Sequence, residues 1–362
     1  MKTNTMVLTR FNEPLVPEEI EIPALRPGEI LIKLEASGIC GSDVHMWKGE
    51  DPRTPLPIIL GHEGVGRIAA MNGVHHTVDG KPLHEGDRVL WNRGVTCGEC
   101  FACKVLLKPW LCENRKVYGI NRARVEEPFL NGCYSEYLIL APRTDLFLLP
   151  ETVDPAILVS ASCSGATAAN GFDHVIIQPG DTVVIQGPGP LGVFGAAFAK
   201  RMGASQIVVI GGSKERLNLC KEFGATHLLN RRERSADERL EAVLQLTGGR
   251  GADVVFEAAG THGAAEESLN LARKGGTCLM AGYAQPAGTE AIDFFTQVVR
   301  KHLTIQGIWV SDTRHTRHAM ELVLSQQAQF AKLITHRFAL SDANEALQVM
   351  NRKEALKAVL TF

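Results

Sequence analysis

The sequence predicts an α/β protein in two parts, a β-rich domain and a doubly wound parallel-sheet domain. Three observations carry this expectation. Short β-like runs broken by Gly and Pro fill residues 1 to about 150. From Asp181 onward strands and helices alternate, which implies a parallel sheet covered on both faces. A G-x-G-x-x-G turn stands between the first of those strands and its helix.

The elements follow in order. "GEILIKLEASGIC" (Gly28 to Cys40) and "GDRVLWN" (Gly86 to Asn92) read as strands of the first part. "DTVVIQGPGPLGVFGAAFAKRMGA" is a buried strand, a glycine turn and a helix, and "QIVVI" is the next strand. Ser213 to Ala225 has apolar residues at Leu217, Leu219, Cys220 and Phe223, a helical spacing. "ADVVFEAAG", "GTCLMAG" and "LTIQGIWV" are further strands, and residues 311 to 362 end in an apolar strand, "KAVLTF". No internal repeat or low-complexity segment interrupts them.

Composition narrows the function classes. A length of 362 residues suits two to three domains. A net charge of -2 gives no strong pull toward nucleic acid or anionic membrane, so neither is expected as a partner. Apolar runs such as Leu138 to Ala141 or Ile207 to Ile210 are too short to span a bilayer. "MKTNTMVLTRFNEP" lacks the apolar core and cleavage pattern of a secretory signal, so a cytoplasmic location is expected. There, nine cysteines argue for metal binding or catalysis before disulfides.

The glycine turn has the context that dinucleotide binding needs. Gly187 permits the tight turn, Gly189 lets a pyrophosphate approach the backbone, and Gly192 lets helix and strand pack. Pro190 and Leu191 complete the candidate cradle. An acidic residue that binds the ribose 2′-hydroxyl is expected just after "IVVI". Gly211, Gly212, Ser213 and Lys214 stand there instead, so either NAD or NADP fits. Lys214 reads equally well as a solvated residue at a helix start.

Cys97, Cys100, Cys103 and Cys112 have the close spacing of a structural zinc loop. An iron–sulfur cluster is the chemical rival, and a redox C-x2-C pair is the third reading. A second set is scattered: Cys40, Ser42, Asp43 and His45 in "CGSDVH", His62 and Glu63 in "GHEGVG", and Cys163 in "SASCSG". Together these suggest an open metal site of two cysteines and one histidine. Cys133, Cys220 and Cys278 fall outside both sets and read as buried thiols.

With these motifs in place the chain resembles the zinc-dependent alcohol dehydrogenases of the medium-chain dehydrogenase/reductase superfamily. The resemblance rests on "CGSDVH", "GHEGVG", "GDRV", the four-cysteine loop, "GPGPLG", "ERLNLCKEFGA", "GADVVFEAAG" and "LKAVLTF", and it covers essentially the whole length. It implies a GroES-like catalytic domain over residues 1–154 and 302–362, with a Rossmann domain over residues 155–301. It also implies catalysis in the cleft between them and pairing of cofactor domains through "LTIQGIWV", giving a homodimer or homotetramer.

The resemblance assigns roles by position. Cys40, His62 and Cys163 are implied as catalytic zinc ligands, and the four clustered cysteines as ligands of a second, structural zinc. Glu63 is implied as an acid approaching the metal from behind, and Asp43 as the carboxylate orienting the ligand histidine. Ser42 is implied to take the alcohol proton and His45 to end the relay. Thr167 is implied to pack on the nicotinamide and Lys357 to contact the pyrophosphate. The spacer of eight residues before Cys112 is one longer than in many relatives.

The implied reaction converts an alcohol to a carbonyl by hydride transfer to NAD(P), on a small-molecule substrate. Trp47, Trp91, Phe129 and Tyr283 are candidate pocket residues, which points to a secondary, hydrophobic and cyclic alcohol, as in bacterial terpenol dehydrogenases. A polyol dehydrogenase of the same family is the alternative. A non-catalytic zinc protein and a zinc-free quinone reductase are opposed by the complete second ligand set.

Overall fold

The computed structural model describes residues 1–362 and divides into two compact units. One comprises Met1–Cys163 and Asp312–Phe362, the other Ser164–Ser311. Both junctions lie later than the sequence places them. The Pro155–Ser162 segment packs on the strands Glu63–Met71 and Ile30–Ile39, so it stays with the first unit. The strand Thr304–Gly307 pairs in parallel with Ala272–Met280, so it belongs to the second.

The first unit is built around a seven-stranded sheet. Its order is Leu146–Leu148, Arg88–Trp91, Glu63–Met71, Ile30–Ile39, Lys357–Thr361 and Ile334–Ala339, with Tyr137–Leu140 also pairing with Ile30–Ile39. The long central strand is apolar and buried along most of its length, as a strand covered on both faces must be. The expected C-terminal strand forms beside it, antiparallel, with Ala358 opposite Ile39. Chain ends far apart in sequence therefore meet at Cys40, which directly follows Ile39. A smaller sheet orders Val16–Glu21, Lys2–Leu8 and Ile58–Ile59. Leu8, Ile39, Met46, Ile59 and Leu360 fill one core of this unit, and Ile32, Trp91 and Leu138 fill another.

The second unit is a six-stranded parallel sheet in the order His227–Asn230, Gln206–Gly211, Thr182–Gln186, Ala252–Glu257, Ala272–Met280 and Thr304–Gly307. In chain order this is the doubly wound arrangement 3-2-1-4-5-6. Thr182–Gln186 is buried at every position, consistent with helices on both faces. The helices Pro190–Arg201, Lys214–Glu222, Ala236–Leu246 and Ala264–Leu271 connect the strands. Local chemistry sets their starts. Ser235 accepts from the Glu238 amide while the Glu238 carboxylate accepts from the Ser235 amide, a capping box.

Candidate functional site

In the first unit, the helix Gly41–Lys48 begins at Cys40, whose backbone is still extended. The Cys40 amide donates to Asp43 Oδ2 at 2.7 Å, so Asp43 closes the first turn. Its other oxygen faces inward. Asp43 Oδ1 lies 3.3 Å from His62 Nδ1, and both side chains are fully buried. This fixes the ring and turns His62 Nε2 toward Cys163 Sγ, 3.3 Å away. Cys163 Sγ in turn lies 3.9 Å from Cys40 Sγ. Burial opposes a charge on His62, but Asp43 outweighs it and lifts the imidazole to about 9. The two sulfurs share their protons unequally: the hydrogen bond from Cys163 holds Cys40 well below the ordinary thiol range and holds Cys163 well above it.

The ligand atoms of Cys40, His62, Glu63 and Cys163 lie within 4.8 Å of one another. Zinc–sulfur bonds of about 2.3 Å in a tetrahedron place two sulfurs about 3.8 Å apart. The observed sulfur separation meets that requirement. Glu63 Oε1 is also buried without a hydrogen-bond partner, an acceptor left over beside the ligand atoms. The residues therefore fit a metal ion.

Glu63 and Lys357 form a buried ion pair behind this group. A Cβ at Gly38 would lie 2.2 Å from Glu63 Oε2 and 3.0 Å from Lys357 Cε, so glycine there makes room for the pair. Burial raises Glu63, and Lys357 only partly draws it back. Lys357 is only 2% exposed, and the carboxylate and sulfurs around it raise its pKa against the effect of burial. Lys357 was implied to contact the pyrophosphate; here the terminal strand carries it into the core, where its ammonium pairs with Glu63. Ser42 Oγ lies 3.8 Å from Cys40 Sγ. His45, one turn along the helix, is one-third exposed and bonds Glu50 Oε2 at 2.5 Å.

Arg93 was not singled out by its sequence. It is 5% exposed, and its Nη1 donates to Cys163 Sγ at 3.0 Å. The four candidate pocket aromatics have other tasks in part. Trp91 is buried in the core, and a Cβ at Gly64 would lie 2.5 Å from its ring. Trp47 packs on the other core of this unit and donates to Glu13 O at 2.7 Å. Tyr283, in the second unit, donates to Glu290 Oε1 at 2.7 Å. Phe129 is half-buried.

The ligand atoms of Cys97, Cys100, Cys103 and Cys112 also lie within 4.8 Å of one another. The amides of Cys97 and Cys100 point at neighbouring sulfurs, Cys112 and Cys97 respectively, at 3.4 Å. Backbone amides bring Cys97 down to about 6, which suits a thiolate ligand. A short helical turn, Pro109–Leu111, closes the eight-residue spacer and returns Cys112 to the others. All nine cysteines are free. Cys133, Cys220 and Cys278 lie buried outside both groups.

In the second unit, Gly187 has φ 99° at the end of its strand. A Cβ at Gly192 would lie 1.8 Å from Gly187 O, which only glycine avoids. At Gly189 a Cβ would meet nothing within 4 Å, so its open face is not demanded by packing. It is the space that a ligand backbone approach requires. Gly189 caps the helix Pro190–Arg201 without a side chain, leaving the Leu191 and Gly192 amides of its first turn without a capping group. Gly211 ends its strand, and a Cβ there would lie 2.4 Å from Pro188 Cγ. An acid at that position is thus excluded sterically. Ser213 caps the next helix, and Lys214 pairs with Glu233 at 2.8 Å. The cations nearest Gly212 are Arg231 and Arg232, with Nε of each 3.3 Å from a Cβ placed there. The signal for them was the "NRR" that follows the strand His227–Asn230. Thr167 is half-buried on the helix Ser164–Phe172.

Residues 26–151 match the alcohol dehydrogenase GroES-like domain, and residues 190–325 match the zinc-binding dehydrogenase domain. Among curated relatives, 5-exo-hydroxycamphor dehydrogenase of Pseudomonas putida is 33% identical over 95% of both chains. An L-threonine 3-dehydrogenase of Vibrio cholerae is 30% identical over the full length of both. An alcohol dehydrogenase of Thermotoga maritima superposes with a TM-score of 0.97 at 48% identity, covering 100% of this chain and 99% of the other. A zinc-binding dehydrogenase of Sinorhizobium meliloti, bound to NADP, superposes with a TM-score of 0.88 at 27% identity over the full length of both. The chain belongs to the zinc-type alcohol dehydrogenase family of the medium-chain dehydrogenase/reductase superfamily.

Proposed function

We propose that this protein oxidises a secondary alcohol to a ketone and passes the hydride to NADP in preference to NAD. The observation that supports it most is the placement of Cys40 Sγ, His62 Nε2 and Cys163 Sγ at tetrahedral spacing, with Asp43 behind the histidine. A zinc held there supplies Lewis acidity that makes an alcohol easier to deprotonate, and the nicotinamide supplies the hydride acceptor. The chain does the rest. Asp43 holds the His62 ring in the orientation that offers Nε2. Ser42, beside Cys40, accepts the hydroxyl proton, and His45 exchanges it with solvent. The Glu63–Lys357 pair keeps the charge behind the ligands balanced. The loop cysteines hold a second zinc, which stiffens the residues 97–112 segment.

For the cofactor, the Gly187–Gly192 turn and the open helix end receive the pyrophosphate. Thr167 packs on the nicotinamide. Gly211 leaves no carboxylate to repel a 2′-phosphate, and Arg231 and Arg232 lie where one would be held. The NADP complex of the Sinorhizobium meliloti relative is consistent with this reading.

Both relatives' named substrates, hydroxycamphor and L-threonine, carry a secondary hydroxyl. The hydrophobic, cyclic part of the expected substrate loses the support of Trp47 and Trp91, which pack in cores. We read the working form as a cytoplasmic homodimer or homotetramer. Exposed Ile305 and Trp309 on and beside the edge strand Thr304–Gly307 support an association surface. No helix is long and apolar enough to cross a membrane.

A panel of cyclic, aliphatic and polyol alcohols, each with NADP and with NAD, tests the reading. Reduction of NADP with secondary alcohols is expected. Turnover confined to primary alcohols, or no cofactor reduction with any alcohol, would overturn it.

A further inference from the structure

We propose that Arg93 binds an acidic group, a carboxylate or a phosphate, on the alcohol that this enzyme oxidises. The inference deepens the dehydrogenase reading and rests on it. Arg93 follows the sheet strand Arg88–Trp91 and directly precedes the short strand Gly94–Val95. It is buried to 5% exposure, yet its hydrogen bond goes to a sulfur, Cys163 Sγ, at 3.0 Å. Its Nε is buried without any hydrogen-bond partner. A buried guanidinium with an unpaired N–H is costly and calls for an acceptor. Cys163 belongs to the metal-ligand group, so its sulfur is not a full counter-charge for Arg93 once a metal shares it.

The surroundings add cations. Gly94 pairs with Val117, which brings the segment carrying Arg115 alongside. A Cβ at Gly94 would lie 2.2 Å from Arg115 Nη2, so the guanidinium lies directly over the glycine. Burial, with Arg93 and Arg53 close by, holds Arg115 down to about 9, still charged at neutral pH. Arg53 is matched by a bidentate contact to Asp51, at 2.9 Å and 2.5 Å. Asp312 and Cys112 act on Arg115 in the opposite sense to the cations. Arg93 reaches the scattered metal-ligand group directly, through Cys163 Sγ. A planar guanidinium with one nitrogen engaged still offers its Nε side to two oxygens of an acid. An acid carried close to the reacting hydroxyl would meet it there.

The test compares kcat/KM for lactate, 3-hydroxybutanoate and gluconate with their methyl esters, and for glycerol 3-phosphate with glycerol. A charged hydrogen-bond pair predicts a preference of roughly 10- to 100-fold for the acidic member of at least one pair. The pair that shows it tells carboxylate from phosphate. Arg93→Gln should bring that ratio close to one, and Arg93→Lys should retain part of it. Calorimetric binding of the preferred acid to zinc-loaded protein without cofactor should weaken in parallel, with zinc content and melting temperature establishing that the variant is folded. Neutral members turned over as well as or better than the acids would overturn the proposal and leave the dehydrogenase reading standing. So would an acid preference that survives in Arg93→Gln. Failure of every alcohol, acidic or neutral, would overturn both.

Discussion

Asp43 shows how much one side chain can organise. It closes a helix turn through the Cys40 amide and orients His62 with its other oxygen. Asp43→Asn should weaken zinc binding at that site about 10- to 100-fold, because such supporting carboxylates carry that much affinity. Chelator competition would measure it, and an unchanged affinity would remove Asp43 from its role. Asp312 acts on stability instead. It caps the helix Thr313–Ser325 and lies 2.8 Å from His315 Nδ1. Burial raises its pKa, but the His315 contacts outweigh it and the carboxyl sits below its ordinary value. A depressed folded pKa stabilises the protein above the unfolded pKa of about 4 and is lost as pH falls through the folded value. Asp312→Ala should therefore cost about 1 kcal/mol at pH 7 and progressively less below about pH 4, read by urea unfolding. An equal cost across that range would contradict the assignment. At this scale legibility was uneven. Cys40, His62 and Cys163 carry motif neighbours that announce them. Arg93 does not, and Lys357 sits in a recognisable motif but its pairing with Glu63 was hidden, because what each touches lies far along the chain.

Elements were read more reliably where one local cause dictates them. The buried run Thr182–Gln186 and the glycines after it need no distant partner to be recognised. The absence of an acid after the second strand was visible as well, but its reason was not. Pro188, from the neighbouring turn, fills the space a side chain would take at Gly211. The nearby Lys214 was the cation in view, whereas it is paired with Glu233, and Arg231 and Arg232 reach Gly212 from the following loop. Replacing both arginines by alanine should raise the KM for NADP by at least tenfold while moving that for NAD little, as two lost charged contacts imply. Equal effects on the two cofactors would mean that the arginines do not recognise the 2′-phosphate. Gly192→Ala should abolish cofactor binding, since the added carbon meets the Gly187 carbonyl.

At the scale of the whole molecule, the two-part architecture was legible and its junctions were not. The change of texture marks a new unit, but only pairing shows that Thr304–Gly307 completes the parallel sheet. That the C-terminal segment joins the first domain was implied by the resemblance alone, and the pairing of its strand with Ile30–Ile39 was not foreseen, since no local pattern names a partner so distant. That return matters chemically because it delivers Lys357 to Glu63, behind the ligand sulfurs. The architecture thus gathers one group of side chains that could hold a metal from scattered segments and another from a single loop. In the proposed function the scattered group holds the metal that reacts. Zinc measured per chain in wild-type protein and in Cys40→Ser, with turnover followed in the same preparations, tests it most directly. Two zincs should fall to one, with turnover lost and the melting temperature little changed. Two zincs retained, or turnover undiminished, would contradict it.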